Sequence, residues 1–302
     1  MEIYLPIAGI SANLFLLIGL GIIVGFLSGL FGVGGGILLT PLLIMIGIPP
    51  AIATASSVNQ LVATSVSGAY AHKRMGHVDV KLGIVILLGG IIGGTLGVHW
   101  VRWLQEGGVL DIVILLLYVI LLGGVGGYMF YESIMTLQGK PRQGDGLLIK
   151  LKDILCRLPL QTQMDFRTAG IKICPTFPFV LGLLVGVLLA LMGVGGGFLV
   201  IPALIYVLGV PTVVAIGTSL FQIVFTTVHV TFMQAVTNHT VDVVLAMMLL
   251  MGSAIGAQWG ARYCRKVQPE RLRIFLAIVI FLILIVLVVG LVRKPAILVS
   301  IG

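Results

Sequence analysis

Apolar residues fall into ten runs along the chain, and polar residues collect in the stretches between them. Eight of these runs have 16 residues or more, close to the roughly 20 residues with which an α-helix crosses a bilayer. The other two have 10 and 11 residues, which is too short for an untilted crossing. The runs predict helices over residues 14–30, 37–46, 51–70, 80–103, 110–131, 177–192, 198–208, 212–236, 243–263 and 274–291.

The composition agrees with this pattern. With 59% hydrophobic and 9% charged residues, the chain is predicted to be an all-α polytopic membrane protein. The net charge of +8 is interpreted as basic loops that face the cytoplasm and anionic lipid, not as a nucleic-acid surface. The three cysteines have no metal-ligand spacing and are interpreted as free thiols, and no metal site or cofactor is predicted.

Two glycine clusters interrupt the apolar pattern at matching places. Residues 32–36 read GVGGG and precede the first short run, and residues 193–197 repeat GVGGG before the second. Glycine lowers helix propensity and admits backbone angles that other residues avoid, so both clusters are predicted to be breaks between helical pieces. Such breaks are tolerated at membrane depth only where protein buries them or a wet cavity adjoins them. Paired breaks are therefore typical of a transporter's binding site.

The two halves of the chain are an internal duplication. Gly32 and Gly193 lie 161 positions apart, and Asp79 and Asp242 lie 163 positions apart, so the offset drifts by only two residues. The prediction is a first membrane repeat over residues 1–135, a basic connection over 136–176, which includes a short amphipathic helix near 147–158, and a second membrane repeat over 177–302.

Lysine and arginine placement predicts the orientation of the halves. If each half crosses five times, 15 of the 18 basic residues lie on one side, whereas re-entrant short segments would leave 12 there. We therefore expect two inverted-topology repeats of about five helical segments each, with broken or short helices at the glycine motifs. Both termini are expected outside, and residues 136–176 are expected in the cytoplasm.

The candidate chemistry is uncharged, since Lys, Arg, Asp and Glu are absent from the middle of every predicted span. The third helix of each half is rich in hydroxyls and amides instead. The helices that start at Ile37 and Phe198 would present free N–H groups and partial positive charge, which suit an anion. The predicted substrate-binding residues are Gly34, Gly35, Gly36, Ser57, Asn59, Gln60, Gly195, Gly196, Gly197, Ser219 and Gln222.

Several of these residues also have structural interpretations. The glycine clusters could serve close packing or simple turns, and the serines could bond only to their own helices. Glycine rows at 89–97 and 252–260 are interpreted as helix-packing surfaces, and Asp79 and Asp242 as helix N-caps in preference to proton-coupling groups. His229 is either a coupling residue or a buried histidine with a satisfied partner.

The duplicated GVGGG-x4-P break, the following G-I/V-P turn and the polar third helix resemble the TauE/SafE sulfite exporter family, also called toluene sulfonate uptake permeases. The resemblance covers residues 14–292 except the central connection, and in the polar helices it rests on Ala53, Ser57 and Gln60 and on Ala215, Ser219 and Gln222. It implies a multi-pass permease of the bacterial inner membrane for sulfite, sulfonates or related small anions.

The function expected from these observations is a secondary transporter for a small anion. A sulfur-containing oxyanion or organosulfonate such as sulfite would bind between the two breaks at mid-membrane, with the lipid bilayer as the other partner. Proton coupling and oligomerisation stay open, and nucleic acid is not an expected partner. The alternatives are a carboxylate permease, an anion channel or a membrane scaffold. An intramembrane enzyme is disfavoured because the sequence has no HExxH motif and no intramembrane aspartate pair.

Overall fold

The computed structural model describes residues 2–31, 35–137 and 164–264, together with residues 278, 281–285 and 289 of the last apolar run. Helices dominate these ranges. The helices are α1 (Leu14–Phe31), α2 (Gly36–Met45), α3 (Pro50–Arg74), α4 (Val80–Glu106), α5 (Leu110–Leu137), α6 (Thr176–Met192), α7 (Gly197–Pro202, continued by a π-helix over Ala203–Val207), α8 (Thr212–Thr237) and α9 (Val243–Cys264).

The predicted helices are confirmed to within a few residues wherever the structure describes them. Val80–Glu106, Thr212–Thr237 and Val243–Gly260 are long and apolar enough to cross a membrane, and four shorter apolar helices accompany them. The chain is thus a helical membrane protein. The amphipathic helix predicted near 147–158 lies outside the described residues, as does most of the run 274–291.

Two short β-hairpins were not predicted. Strands β1 (Glu2–Leu5) and β2 (Ile10–Asn13) pair antiparallel before α1, and strands β3 (Met164–Phe166) and β4 (Ile171–Ile173) pair antiparallel before α6. The sequence signal for them is a repeated Ala-Gly-Ile at 8–10 and 169–171, with the offset of 161 that relates the glycine breaks. The duplication therefore begins before the first helix of each half.

Cys174 follows the second hairpin and is disulfide-bonded. The expectation of three free thiols is wrong for this residue.

Helices α1 and α9 are parallel and in backbone contact. A Cβ atom on Gly25 would lie 2.5 Å from the carbonyl oxygen of Ser253, and one on Gly29 would lie 2.3 Å from that of Ala257. Because both residue numbers rise together, the two helices run in the same direction. Only glycine permits this approach.

Helices α4 and α6 form the corresponding pair. A Cβ atom on Gly89 would lie 2.0 Å from the carbonyl oxygen of Phe179, and one on Gly97 would lie 2.7 Å from the Cβ of Ala190. These helices are also parallel. The packing role predicted for the glycine rows is confirmed in both pairs.

The polar helices α3 and α8 pack against each other in opposite directions. Gly68 of α3 lies against Leu220, whereas Gly217, which is earlier on α8, lies against His72, which is later on α3. These two polar helices, which occupy corresponding places in the two halves, are thus antiparallel. Helix α4 runs parallel to α8, with Gly83 against Phe221.

Asp79 joins the two halves at the start of α4. Its Oδ1 accepts a hydrogen bond from the amide of Leu82 at 3.0 Å, which caps the helix. Its Oδ2 accepts bonds from the amides of Thr168 and Ala169 in the β3–β4 turn, at 3.0 Å each. The predicted N-cap is confirmed, and the same carboxylate also holds the hairpin that belongs to the other half.

Asp242 makes the matching contacts at the start of α9. Its Oδ1 accepts bonds from the amides of Val244 and Leu245 at 3.1 Å each. Its Oδ2 accepts bonds from the amides of Ile7 and Ala8 in the β1–β2 turn, at 3.0 and 3.4 Å. The aspartate of each half therefore accepts hydrogen bonds from the hairpin of the other half.

Candidate functional site

The two helix breaks touch each other inside the protein. Helix α2 follows Gly35, and helix α6 ends before Gly193; both glycines have left-handed backbones, with φ of 53° and 67°. A Cβ atom on Gly36 would lie 2.2 Å from the carbonyl oxygen of Gly193, so no larger residue fits there. Sequence reasoning placed two helix N-termini opposite each other. The contact that the structure describes joins the N-terminus of α2 to the C-terminus of α6, and the facing of the two N-termini stays a prediction.

This arrangement changes the electrostatics of the site. The partial negative charge at the end of α6 faces the partial positive charge at the start of α2, and the two partly neutralise each other. Of the other predicted glycines, Gly195, Gly196 and Gly197 are buried, while Gly34 lies outside the described residues. A Cβ atom on Gly196 would lie 1.9 Å from Cγ1 of Val185.

The first half of α3 runs beside both breaks. A Cβ atom on Gly193 would lie 2.5 Å from the carbonyl oxygen of Thr54, and one on Gly36 would lie 3.0 Å from the Leu61 side chain. Ser57 lies between these two contact points. Its hydroxyl donates to the carbonyl of Ala53 at 2.8 Å, so this predicted site residue is already hydrogen-bonded.

Two hydroxyl residues that sequence reasoning missed complete this junction. The hydroxyl of Thr40 on α2 donates to Ser57 at 2.7 Å and lies 3.3 Å from the carbonyl oxygen of Met192. The hydroxyl of Tyr118 on α5 donates to the same carbonyl, and the Tyr118 side chain is fully buried. The sequence signal for Thr40 and Tyr118 was a hydroxyl inside an apolar run, because a buried hydroxyl needs a hydrogen-bond partner.

Four polar residues on α3 and α8 that are completely buried lack hydrogen-bond partners for some of their atoms, as does Oε1 of the nearly fully buried Gln234 further along α8. They are Ser56 and Gln60 on α3 and Ser219 and Gln222 on α8, and each is 0% exposed. The unpartnered atoms are both hydroxyl oxygens, both amide atoms of Gln60 and Oε1 of Gln222. An unpaired buried polar group costs roughly 1–3 kcal/mol, so these side chains, which are spread along α3 and α8, are candidate ligand contacts.

Helix α4 packs against α8 at Gln222. A Cβ atom on Gly90 would lie 2.9 Å from Oγ1 of Thr226 and 3.3 Å from Nε2 of Gln222, so glycine is needed to let α4 approach. The Nε2 of Gln222 donates to Thr226 at 2.9 Å. Asn59 is only half-buried beside Gln60.

His229 lies about two turns beyond Gln222 on α8. Its ring is half-buried, and Nε2 lies 2.9 Å from Oγ1 of Thr95 on α4. The histidine therefore has a partner in the neighbouring helix. Its assignment as a coupling residue stays a prediction.

A separate polar cavity of about 730 Å³ opens where α4 and α8 end. Its lining includes His99, Arg102, Glu106, Asn238 and His239. Arg102 and Glu106 form an exposed ion pair at 3.0 Å, so the lining has little net charge. About 15 residues of α8 separate this cavity from Gln222, which corresponds to roughly 22 Å of helix.

Apolar helices interrupted by glycine breaks, with unpaired polar groups buried on the polar helices that follow, are typical of a membrane transporter. Comparison with known proteins agrees with this class. The chain belongs to the sulfite exporter TauE/SafE family, whose sequence profile matches residues 17–287.

Relatives from distant bacteria carry the same kind of name. A probable membrane transporter protein of Xylella fastidiosa strain 9a5c is 30% identical over 261 residues, which cover 86% of this chain and 88% of the relative. The probable membrane transporter protein YunE of Bacillus subtilis is 27% identical over 281 residues, which cover 89% and 94%. No solved structure matches the chain significantly.

Proposed function

We propose that this protein is a secondary transporter of the bacterial inner membrane for a small anion. Its cargo is a sulfur-containing oxyanion or organosulfonate, such as sulfite, held at mid-membrane beside the two helix breaks. The family name supports the class of cargo. The observation that carries the proposal is the set of fully buried, unpartnered polar atoms on Ser56, Gln60, Ser219 and Gln222.

The chemistry of these groups suits reversible anion binding. Serine hydroxyls and a glutamine amide can donate hydrogen bonds to an oxyanion without a fixed positive charge. Hydrogen bonds of this kind contribute about 1 kcal/mol each, so the cargo would be released readily. A lysine or arginine at the same depth would bind the anion more tightly and slow its exit.

We propose further that the two halves are inverted repeats. An axis that relates antiparallel helices such as α3 and α8 lies perpendicular to them, and hence in the plane of the membrane if they cross it. The proposed division keeps residues 1–135 and 177–302 as the membrane repeats and 136–176 as a cytoplasmic connection, with both termini outside.

Transport in proteoliposomes tests the proposal. Purified full-length protein is reconstituted, and uptake of labelled sulfite is measured for the wild type, Gln60→Leu and Gln222→Leu. Each variant should reduce uptake at least tenfold while remaining monodisperse in detergent. Gln258→Leu is the matched control because Gln258 is exposed on α9, and it should transport normally. Normal uptake by both site variants would contradict the proposed site.

The same vesicles separate the alternatives. A carrier shows saturable uptake and counterflow driven by unlabelled substrate, whereas a channel shows neither. A carboxylate permease would take up labelled lactate or acetate and resist competition by sulfite. Imposed proton gradients test coupling, and His229→Gln should abolish any proton-driven component if that histidine is the coupling residue.

A further inference from the structure

Helix α6, the first helix of the second half, ends on a carbonyl that a residue of the first half satisfies. The glycine break stops the helix after Met192, so the carbonyl of Met192 has no partner within the helix. This carbonyl accepts a hydrogen bond from the Tyr118 hydroxyl on α5, and the Thr40 hydroxyl on α2 lies 3.3 Å from the same oxygen. All three residues are fully buried, so protein groups must satisfy this oxygen in place of bulk water.

The Thr40 hydroxyl is in turn positioned by α3. It donates to Ser57 at 2.7 Å, and Ser57 donates to the carbonyl of Ala53 at 2.8 Å. The hydroxyls of Tyr118, Thr40 and Ser57 therefore connect α5, α2 and α3 of the first half to the glycine break of the second half. We refer to these three hydroxyls and their contacts as the α6 latch.

The second half lacks two of these three hydroxyls in its sequence. The repeat counterpart of Thr40 is Ile201, and the run 274–291, which corresponds to α5, contains no Ser, Thr or Tyr. Ser219, the counterpart of Ser57, has a hydroxyl without a hydrogen-bond partner. If the two halves exchanged their shapes, the α6 latch could therefore not be rebuilt at the end of α1.

Transporters built from inverted repeats move one repeat against the other, so that the site opens alternately to the two faces of the membrane. In such a pair of end states, each half takes the shape that the other half has in the opposite state. We propose that Tyr118 and Thr40 are positioning residues that favour the end state described here, because the α6 latch forms in this state and has no counterpart in the other. This inference rests on the proposed transport function and adds to it an unequal population of the two end states.

Tyr118→Phe tests the proposal, because it removes the hydroxyl and keeps the ring. Loss of one hydrogen bond should shift the equilibrium about fivefold toward the state without the latch. The apparent affinity on each face of the membrane follows the fraction of protein that is open to that face. The ratio of the KM for uptake to the KM for efflux should therefore change about fivefold, with the two KM values moving in opposite directions. A loss of stability alone would reduce the amount of active protein and leave both KM values unchanged.

Flux of labelled sulfite is measured in both directions in proteoliposomes that hold the full-length protein in one orientation. Thr40→Val should change the KM ratio in the same direction as Tyr118→Phe, and it decides the test if Tyr118→Phe is not monodisperse in detergent. Thr40→Ser keeps the hydroxyl and should retain the wild-type ratio. Tyr70→Phe is the matched control because Tyr70 is 69% exposed, and it should behave like the wild type.

The outcomes separate the latch from the transport function. Saturable transport with an unchanged KM ratio in Tyr118→Phe and Thr40→Val would overturn the latch and leave the proposed function in place. A change of both KM values in the same direction would also overturn the latch. Absence of saturable flux of sulfite, organosulfonates and carboxylates in the wild type would overturn the proposed function together with the inference.

Discussion

The substitution Asp242→Ser separates two roles of a single carboxylate. Serine is a good helix N-cap and keeps a hydrogen bond to the first turn of α9. Its one short hydroxyl does not also reach the amides of Ile7 and Ala8, which the Oδ2 of Asp242 holds at 3.0 and 3.4 Å. Asp242→Ala loses both roles. The two variants together measure the cap and the contact between the halves separately.

The contacts set the expected size of each effect. A hydrogen bond to a charged group contributes about 1.5–3 kcal/mol, and one of the two bonds to the hairpin is long, so we assign about 3 kcal/mol to the pair. The N-cap contributes about 1 kcal/mol. Asp242→Ser and Asp242→Ala should therefore both lower the free energy of opening the β1–β2 turn by about 3 kcal/mol, and Asp242→Ala should in addition destabilise the first turn of α9 by about 1 kcal/mol because it also loses the cap.

Hydrogen exchange measured by mass spectrometry reports the free energy of opening the β1–β2 turn. The amides of Ile7 and Ala8 are protected by the carboxylate, and they exchange when the turn opens. Since each 1.4 kcal/mol is a factor of ten, a loss of about 3 kcal/mol should speed their exchange roughly a hundredfold. Peptides from the β3–β4 turn in the same sample provide an internal control, because Asp79 holds that turn independently.

Because each aspartate bonds to the hairpin of the other half, the matching substitution of Asp79 can refute this reasoning. Asp79→Ser should release Thr168 and Ala169 and leave the first hairpin protected, which is the mirror image of the Asp242 result. The reasoning fails if Asp242→Ser speeds amide exchange in the β3–β4 hairpin, or if Asp79→Ser speeds it in the β1–β2 hairpin. It also fails if Asp242→Ser exchanges at the wild-type rate.

Three further predictions follow from single contacts. Gly93→Ala should destabilise the protein because its Cβ would lie 2.0 Å from an α6 carbonyl, whereas Gly124→Ala, with nothing within 4 Å, should stabilise it by up to about 1 kcal/mol through helix propensity; thermal unfolding in detergent compares them. Cys174→Ser should raise the maleimide-reactive thiols of the denatured, unreduced chain from one to two, and three reactive thiols in the wild type would contradict the disulfide. Because Ile201 and Ser219 are the counterparts of Thr40 and Ser57 in the repeat, Ile201→Thr should give Ser219 a hydroxyl partner and weaken anion binding several-fold in calorimetry, and unchanged affinity would remove Ser219 from the proposed site.

The sequence predicts the helices well because lipid imposes both their length and their composition. The run 212–236 became Thr212–Thr237, and the short run after the second glycine break became a short α-helix that ends in a π-helix. The duplication also predicted which positions correspond. The hairpins were missed because strands of three or four residues leave almost no hydrophobic pattern, although the repeated Ala-Gly-Ile at their turns was visible in the same offset.

The contacts between the two halves could not be predicted from the sequence pattern. An N-cap is a local property, since the aspartate bonds to the helix that it starts, and Asp79 and Asp242 could be assigned that role from position alone. Their second oxygens bond to turns in the other half, and only the folded chain brings those turns near. The contact of Gly36 with Gly193 is of the same kind, because the sequence shows two breaks without showing which ends meet.

Ser57 and Ser219 show how far the repeat can mislead. They occupy equivalent positions, and the sequence assigned them the same role. Ser57 accepts a hydrogen bond from Thr40 on the preceding short helix, whereas the residue 161 positions after Thr40 is Ile201, and Ser219 has no partner. Ser57 is therefore hydrogen-bonded within the protein, both to Thr40 and to the carbonyl of Ala53, whereas its counterpart Ser219 is not. The two halves would consequently contribute unequally to the proposed site, although their sequences make it look symmetric.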